Sequence, residues 1–340
     1  MNMQLRNLIA AVVLCGASNA AIAQTPTATI VRAANAFLAT LDPKQKAAAT
    51  FAYDDEKQRA RWSNFPTAIF KRAGVRLGDL SPTQRTAAMT LVSSVLSARG
   101  YEKVQQIVEA DEALKVSERN NLMFGKDEYY VAILGTPSDK TPWLLQFGGH
   151  HLGLNITIEG ARGALAPSLT GAQPGAYTAN GKTIRPLGQE SDKGIALLAA
   201  LDDAQRKQAV LGSRMADLVL GPGQDGKVIQ PEGLKASAMN DKQRAMLLDL
   251  IAEWSGIVHE SAAAARMTEL TADLNDTWFA WSGPTTPVPA GKNIAAYYRI
   301  QGPRLVIEYA PQSMGGDPSN HIHSMYRDPT NDYGRKPAAK

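Results

Sequence analysis

Between Leu152 and Glu159 the chain reads L-G-L-N-I-T-I-E, with an apolar residue at every second position. That period belongs to a strand, because successive side chains on a strand point to opposite faces. Carried back through the two preceding histidines, the alternation puts His150, Leu152, Leu154, Ile156 and Ile158 on one face, unless Gly148 and Gly149 place His150 in a turn instead. His151, Gly153, Asn155, Thr157 and Glu159 fall on the other. Two other stretches, R-T-A-A-M-T-L-V-S-S-V-L-S from Arg85 and R-A-M-L-L-D-L-I-A-E-W-S from Arg244, repeat every three to four residues. That is the period of an amphipathic helix. Along the whole chain the patterning predicts helices over about 27–120, 189–220 and 240–272, and strands over about 128–160 and 277–310.

Four helix starts share one phrase: L-D-P-K-Q-K from Leu41, L-S-P-T-Q-R from Leu80, L-D-D-A-Q-R from Leu201 and M-N-D-K-Q-R from Met239. Asp42, Ser81, Asp202 and Asn240 are N-cap residue types, an apolar residue precedes each, and Pro43 and Pro82 suit the first turn. The first two phrases lie 39 residues apart and the last two 38. Each pair is followed by an apolar helix, an aromatic segment ending in Gly and Pro, and a hairpin-like stretch. Aligning W-L-L-Q-F-G-G-H-H-L-G-L-N from Trp143 with Y-Y-R-I-Q-G-P-R-L-V-I-E from Tyr297 sets Gly149 against Gly302, His151 against Arg304 and Asn155 against Glu308.

This order predicts an α+β fold of two pseudo-repeated halves, each made of helices followed by a β-hairpin, sharing a sheet or an interface. The expected boundaries are 24–160 for the first half, 161–188 for a Gly/Pro-rich connector, 189–310 for the second half and 311–340 for a C-terminal segment. Ligands often bind between such halves. The stretch A-P-S-L-T-G-A-Q-P-G-A-Y in the connector has the glycine spacing of a lid, although most such loops only connect.

The first 23 residues have the form of a cleavable signal peptide: Arg6 in the n-region, an apolar run from Leu8 to Leu14, and Ala21-Ile22-Ala23 before the cut. The apolar run is too short for a stable membrane anchor. The expected protein is therefore periplasmic or secreted, with no anchor after cleavage. Cys15, the sole cysteine, leaves with the signal, which excludes disulfides, thiolate metal ligands and cysteine nucleophiles. The formal net charge is +4, and basic residues are interspersed with acidic ones. Without a concentrated basic face, nucleic-acid binding is not expected. No P-loop, dinucleotide fingerprint, H-E-x-x-H or G-x-S-x-G elbow occurs.

The chain has five histidines, and four fall in two short motifs, G-H-H-L at 149–152 and H-I-H at 321–323. Histidines two apart on a strand point the same way, which suits chelation of one ion through neutral imidazoles. His151, His321 and His323 are the candidate metal ligands, for a zinc-type or copper-type ion. His321, His323, Met325 and Arg327 are expected to share a face. Arg327, with Arg304 in support, is a candidate for gripping a carboxylate or phosphate. Glu159 and Asp328 are candidates for orienting a histidine or activating water, with Glu308 and Asp332 as further acid–base or supporting groups. His150 and Asn155 complete the second tier. His259 fits a helix surface, and Trp62 and Trp281 fit either core or a pocket wall.

The motifs R-W-S-N-F-P, Y-Y-V-A-I-L-G-T-P-S, F-G-G-H-H-L-G-L-N-I-T-I, T-W-F-A-W-S-G and N-H-I-H-S-M-Y-R-D-P-T-N-D-Y-G together resemble the exported bacterial and fungal family known as domain-of-unknown-function family 3500. The resemblance runs from about residue 50 to 334. It implies that Gly149, His150, His151, Asn155, His321, His323, Arg327 and Asp328 are signature positions, and it implies no activity. The residues themselves lead to three readings. The first is an exported metal-dependent enzyme, more in keeping with a hydrolase of a small carbonyl or anionic substrate than an oxidoreductase. The second is a non-catalytic periplasmic binder of a metal ion or small anion. The third is a structural or interaction module.

Overall fold

The computed structural model describes residues 26–335 apart from 121, 161 and 216. The expected signal peptide, residues 1–23, lies outside the described residues. Among the described residues no helix is long and apolar enough to cross a membrane.

The fold is α+β, a twelve-stranded sheet carrying helices. Eight strands form its body: β1 (Tyr130–Leu134), β2 (Trp143–Gly149), β3 (Leu152–Glu159), β4 (Ser168–Ala172), β5 (Trp278–Ser282), β6 (Tyr297–Gly302), β7 (Leu305–Pro311) and β8 (Ile322–Arg327). Across the sheet they run β1-β2-β3-β4-β8-β7-β6-β5, every neighbour antiparallel. The order reads alike inward from either side and meets at the β4–β8 pair. Two-residue strands at Val75–Arg76 and Leu234–Lys235 flank β1 and β5 respectively.

Among the described residues, besides a one-turn helix at Glu56–Arg59, eight longer helices accompany the sheet: α1 (Pro26–Thr40), α2 (Pro43–Ala49), α3 (Pro82–Val95), α4 (Ala98–Glu118), α5 (Gly188–Ala200), α6 (Asp203–Ala209), α7 (Asp241–Ser255) and α8 (Glu260–Ala272). All four expected caps form capping boxes, at Asp42/Gln45, Ser81/Gln84, Asp202/Gln205 and Asn240/Gln243. Each box satisfies backbone donors that the helix start leaves open. The glutamines also pair across helices. Gln84 Nε2 donates to Gln45 Oε1 at 2.7 Å and to Thr40 O at 2.8 Å. Gln243 Nε2 donates to Gln205 Oε1 and Ala200 O at the same two distances.

The alternation of β2 and β3 sorts their side chains as expected of strands. Trp143, Leu145, Phe147, Leu152, Leu154, Ile156 and Ile158 pack with α1, α3 and α4 residues such as Phe37, Leu91 and Ile107. A second cluster joins Leu197, Leu250 and Trp254 to Phe279, Tyr298, Ile307 and Tyr326. The opposite face is also covered, by Trp62, Leu169, Met325 and Tyr333. The expected polar face of β3 is thus buried: Asn155 and Thr157 are 0 % and 2 % exposed. Hydrogen bonds make that possible, since Asn155 accepts from Gln146 Nε2 at 2.8 Å and donates to Pro167 O at 2.8 Å.

Two expectations need correction, and one pair of alternatives is decided. The connector is not only a loop, because Ser168–Ala172 within it is the buried strand β4 at the middle of the sheet. A segment tied into two ladders cannot act as a lid. The helices expected to reach about 220 end at Ala209 with α6, which starts at the expected Asp202 cap. Of the two alternatives for Trp62 and Trp281, both residues take the core one. Trp62 donates to Tyr333 Oη at 2.8 Å, and Trp281 is fully buried against Tyr298.

Candidate metal centre

His150 and His151 do not continue strand β3. They form the two-residue turn between β2 and β3, where Gly149 pairs with Leu152. His151 takes a left-handed backbone, φ 60, an uncommon state for a residue with a side chain. The turn therefore cancels the strand alternation, and both imidazoles go the same way, stacked at 3.7 Å between ring centroids. Gly171 of β4 provides room for this. A Cβ there would lie 2.7 Å from Ile322 O and 3.2 Å from His151 Cδ2.

H-I-H sits at the start of β8. His321 Nε2 lies 3.2 Å from His323 Nε2 and 3.0 Å from His151 Nε2. One ligand atom from each of the three rings falls within 4.8 Å of the others. Two nitrogens bound tetrahedrally to one ion at about 2.1 Å stand about 3.4 Å apart. The observed spacings are those of a three-imidazole site.

Hydrogen bonding fixes which nitrogens carry lone pairs. His321 Nδ1 lies 2.8 Å from Met314 O. A carbonyl only accepts, so Nδ1 holds the proton and the neutral ring presents a lone pair at Nε2. His323 Nδ1 faces Asp217 Oδ1 at 3.4 Å while the Asn64 amide nitrogen approaches Nε2 at 3.3 Å. Acceptor on one side and donor on the other again leave the lone pair at Nε2. Two lone pairs facing each other at 3.2 Å repel unless a cation lies between them. His151 Nδ1 is buried without a partner, so the protein provides only for the Nε2 side of that ring.

Burial keeps His151 and His321 neutral at pH 7, the form in which an imidazole can ligate a metal. Burial, followed by the neighbouring imidazoles, holds His151 well below the ordinary histidine range. Burial takes His321 down to about 4, against the opposing pull of the Met314 carbonyl. His150 is also lowered by burial, although Asp111 works against it. Asp217, in spite of desolvation, is held below the usual carboxylate range by bonds to His323 and the Leu218 N–H.

The surroundings hold the rings in place. Asp111 on α4 sits 2.6 Å from His150 Nδ1 and accepts the Gly125 N–H at 2.8 Å. Arg72 donates to Ser63 O, Phe65 O and Gly149 O at 2.6–2.7 Å, which fastens the 63–65 segment to the histidine turn. Asn64 O accepts the His151 N–H at 3.2 Å. Asn64, Arg72, Asp111 and Asp217 are the residues that sequence reasoning missed. Asn64 lies within R-W-S-N-F-P, where it had no visible link to histidines about 90 and 260 residues away.

Residues 23–335 match the family described as protein of unknown function (DUF3500). The chain belongs to that family. No curated protein and no solved structure matches it.

In this DUF3500 protein the remaining candidates lie elsewhere. Arg327 does not reach for an anion. Its guanidinium is spent on Leu220 O, Gly221 O, Asp225 and Asp332 at 2.6–3.0 Å, so Asp332 is an ion-pair partner. Asp328 accepts from Thr330 and Asn331 N–H groups and pairs with Arg266 at 2.9 Å, so it orients no histidine. Glu159 ends β3 beside the same Arg266 cavity. Glu308 is buried and accepts from Val219 N, Leu220 N and Tyr297 Oη at 2.7–2.8 Å. Arg304 is held by Asp273 at 2.6 Å. His259 caps α8. Glu159, Arg327 and Asp328 share one physical reason: β3 and β8 point the same way, so residues at their far ends are separated from the imidazoles by the strand length. From His323 to Asp328 that is about 16 Å.

Proposed function

We propose that this protein is an exported metal-dependent enzyme, a hydrolase of a small carbonyl or anionic substrate. His151, His321 and His323 hold one divalent ion of the zinc or copper type. The observation that carries the reading is the convergence of three Nε2 atoms, two of them with facing lone pairs. Three neutral imidazoles without a fourth protein ligand in the group are the donor set of catalytic sites that keep an open position. Such an ion, when bound, acts as a Lewis acid and lowers the pKa of a coordinated water. Asp111 and Asp217 orient His150 and His323.

Small size follows from burial, since none of the three histidines is more than 6 % exposed. The same burial favours the second reading, a closed site that stores or uses the ion structurally. A panel of small esters, amides and phosphate esters, assayed before chelation, after chelation and after metal restoration, decides between them. Activity that disappears and returns supports the enzyme. Stability that returns without activity supports the structural ion.

The proposal also includes export, with a cut after Ala23, and descent of the two halves, 24–160 and 189–310, from one duplicated unit. The matched capping boxes, the matched glutamine pairs and the inward-reading strand order support the duplication. N-terminal sequencing of periplasmic protein tests the cut.

A further inference from the structure

A cavity of about 400 Å³ lies at the other end of the β4–β8 pair, away from every histidine of the metal centre. Tyr326 and Asp328 of the β8 end, Glu159, and Arg266 and Glu269 of α8 line it together with Arg304. Ala164, Val258, Ala262 and Ala265 add an apolar wall.

The acids here are occupied. Asp328 is saturated by Thr330, Asn331 and Arg266, and Glu269 Oε2 takes a bond from Arg266 at 2.9 Å. The donors are not all spent. Arg304 uses Nε on Asp273 and Nη2 on Glu269 O, while its Nη1 stands 3.9 Å from Glu269, beyond hydrogen-bond length. Tyr326 Oη accepts from Arg266 Nε at 3.0 Å, which leaves its own buried proton to give. Two unspent donors beside an apolar wall match an anionic head on an apolar body.

We propose that this cavity is a second ligand site, for a small carboxylate carrying an aliphatic or aromatic body. The carboxylate takes Arg304 Nη1 and the Tyr326 hydroxyl, and the body lies on the alanines of α8. The site is independent of the metal centre.

Titration calorimetry with phenylacetate and octanoate, against 2-phenylethylamine and octylamine, tests it on the full chain. At least one carboxylate should bind ten-fold or more tightly than the amine of the same body. Arg304→Gln should weaken it about ten-fold. Ala265→Phe, at an exposed helix position that fills the cavity mouth, should abolish it with the fold intact. His323→Ala should leave it unchanged. Absence of carboxylate binding, equal binding of the amines, or binding that survives both cavity variants would overturn the proposal.

Discussion

The two tight turns of the sheet, Gly149–Leu152 and Gly302–Leu305, close equivalent hairpins and differ in what they hold. Each is gripped by an aspartate fourteen residues beyond the capping residue of a helix, Asp111 after Ser97 and Asp273 after His259. Both contacts are 2.6 Å, to His150 Nδ1 and to Arg304 Nε. At the first turn the acid is 1 % exposed and the rings are buried. At the second, Arg304 is 35 % exposed and Asp273 22 %. One frame thus carries a dry imidazole cluster at one end and a wet ion pair beside a cavity at the other. The surface ion pair matches opposite charges directly, whereas the buried imidazoles form a group that could hold a cation.

The comparison is tested most severely by removing that cation. Chelation should destabilise the wild-type protein by about 4 kcal/mol when metal was present at about a thousand times its dissociation constant. In denaturant titrations His321→Ala/His323→Ala should show no such response, and Arg304→Gln should show the full one. A wild-type protein indifferent to chelators would place the two turns on the same footing.

Next comes the matched pair of acids. Asp111→Asn removes a buried charge-assisted bond and should cost about 2–3 kcal/mol. Asp273→Asn, at a solvated pair, should cost under about 1 kcal/mol. Equal costs would mean that burial does not separate the turns.

A last test is with pH. The unfolded chain protonates its histidines near pH 6.5, while folded His321 does so only at about 4. In that window the unfolded state binds more protons, so the stability present above pH 6.5 is lost as pH falls toward 4. Urea midpoints at pH 7, 5.5 and 4.5 should fall in that order for metal-free wild type, and less steeply for His321→Ala. An identical slope would remove His321 as the source.

Much of this frame is legible in the chain. The four caps, the helix and strand periods and the glycine-centred hairpins are local features, written in residues close together. The convergence of His151 with His321 and His323 is legible too, as two histidine-dense motifs in a chain with only five histidines. The direction of the G-H-H-L pair is not. A two-residue turn with a left-handed His151 replaces the strand geometry that its flanking alternation implies. Arg327 and Asp328 mislead because a charged motif beside H-I-H on one strand can serve ends of the sheet that are far apart. Asn64, Asp111 and Asp217 come from three separate segments, and only the packed fold brings them to the rings.

The central claim is that the imidazole cluster exists to hold an ion. Elemental analysis of protein purified from its native compartment, without affinity tags that bind metals, tests it most directly. The account predicts about one zinc or copper ion per chain in the wild type and none in His321→Ala/His323→Ala folded to the same extent. Equal metal content in the two proteins would contradict it.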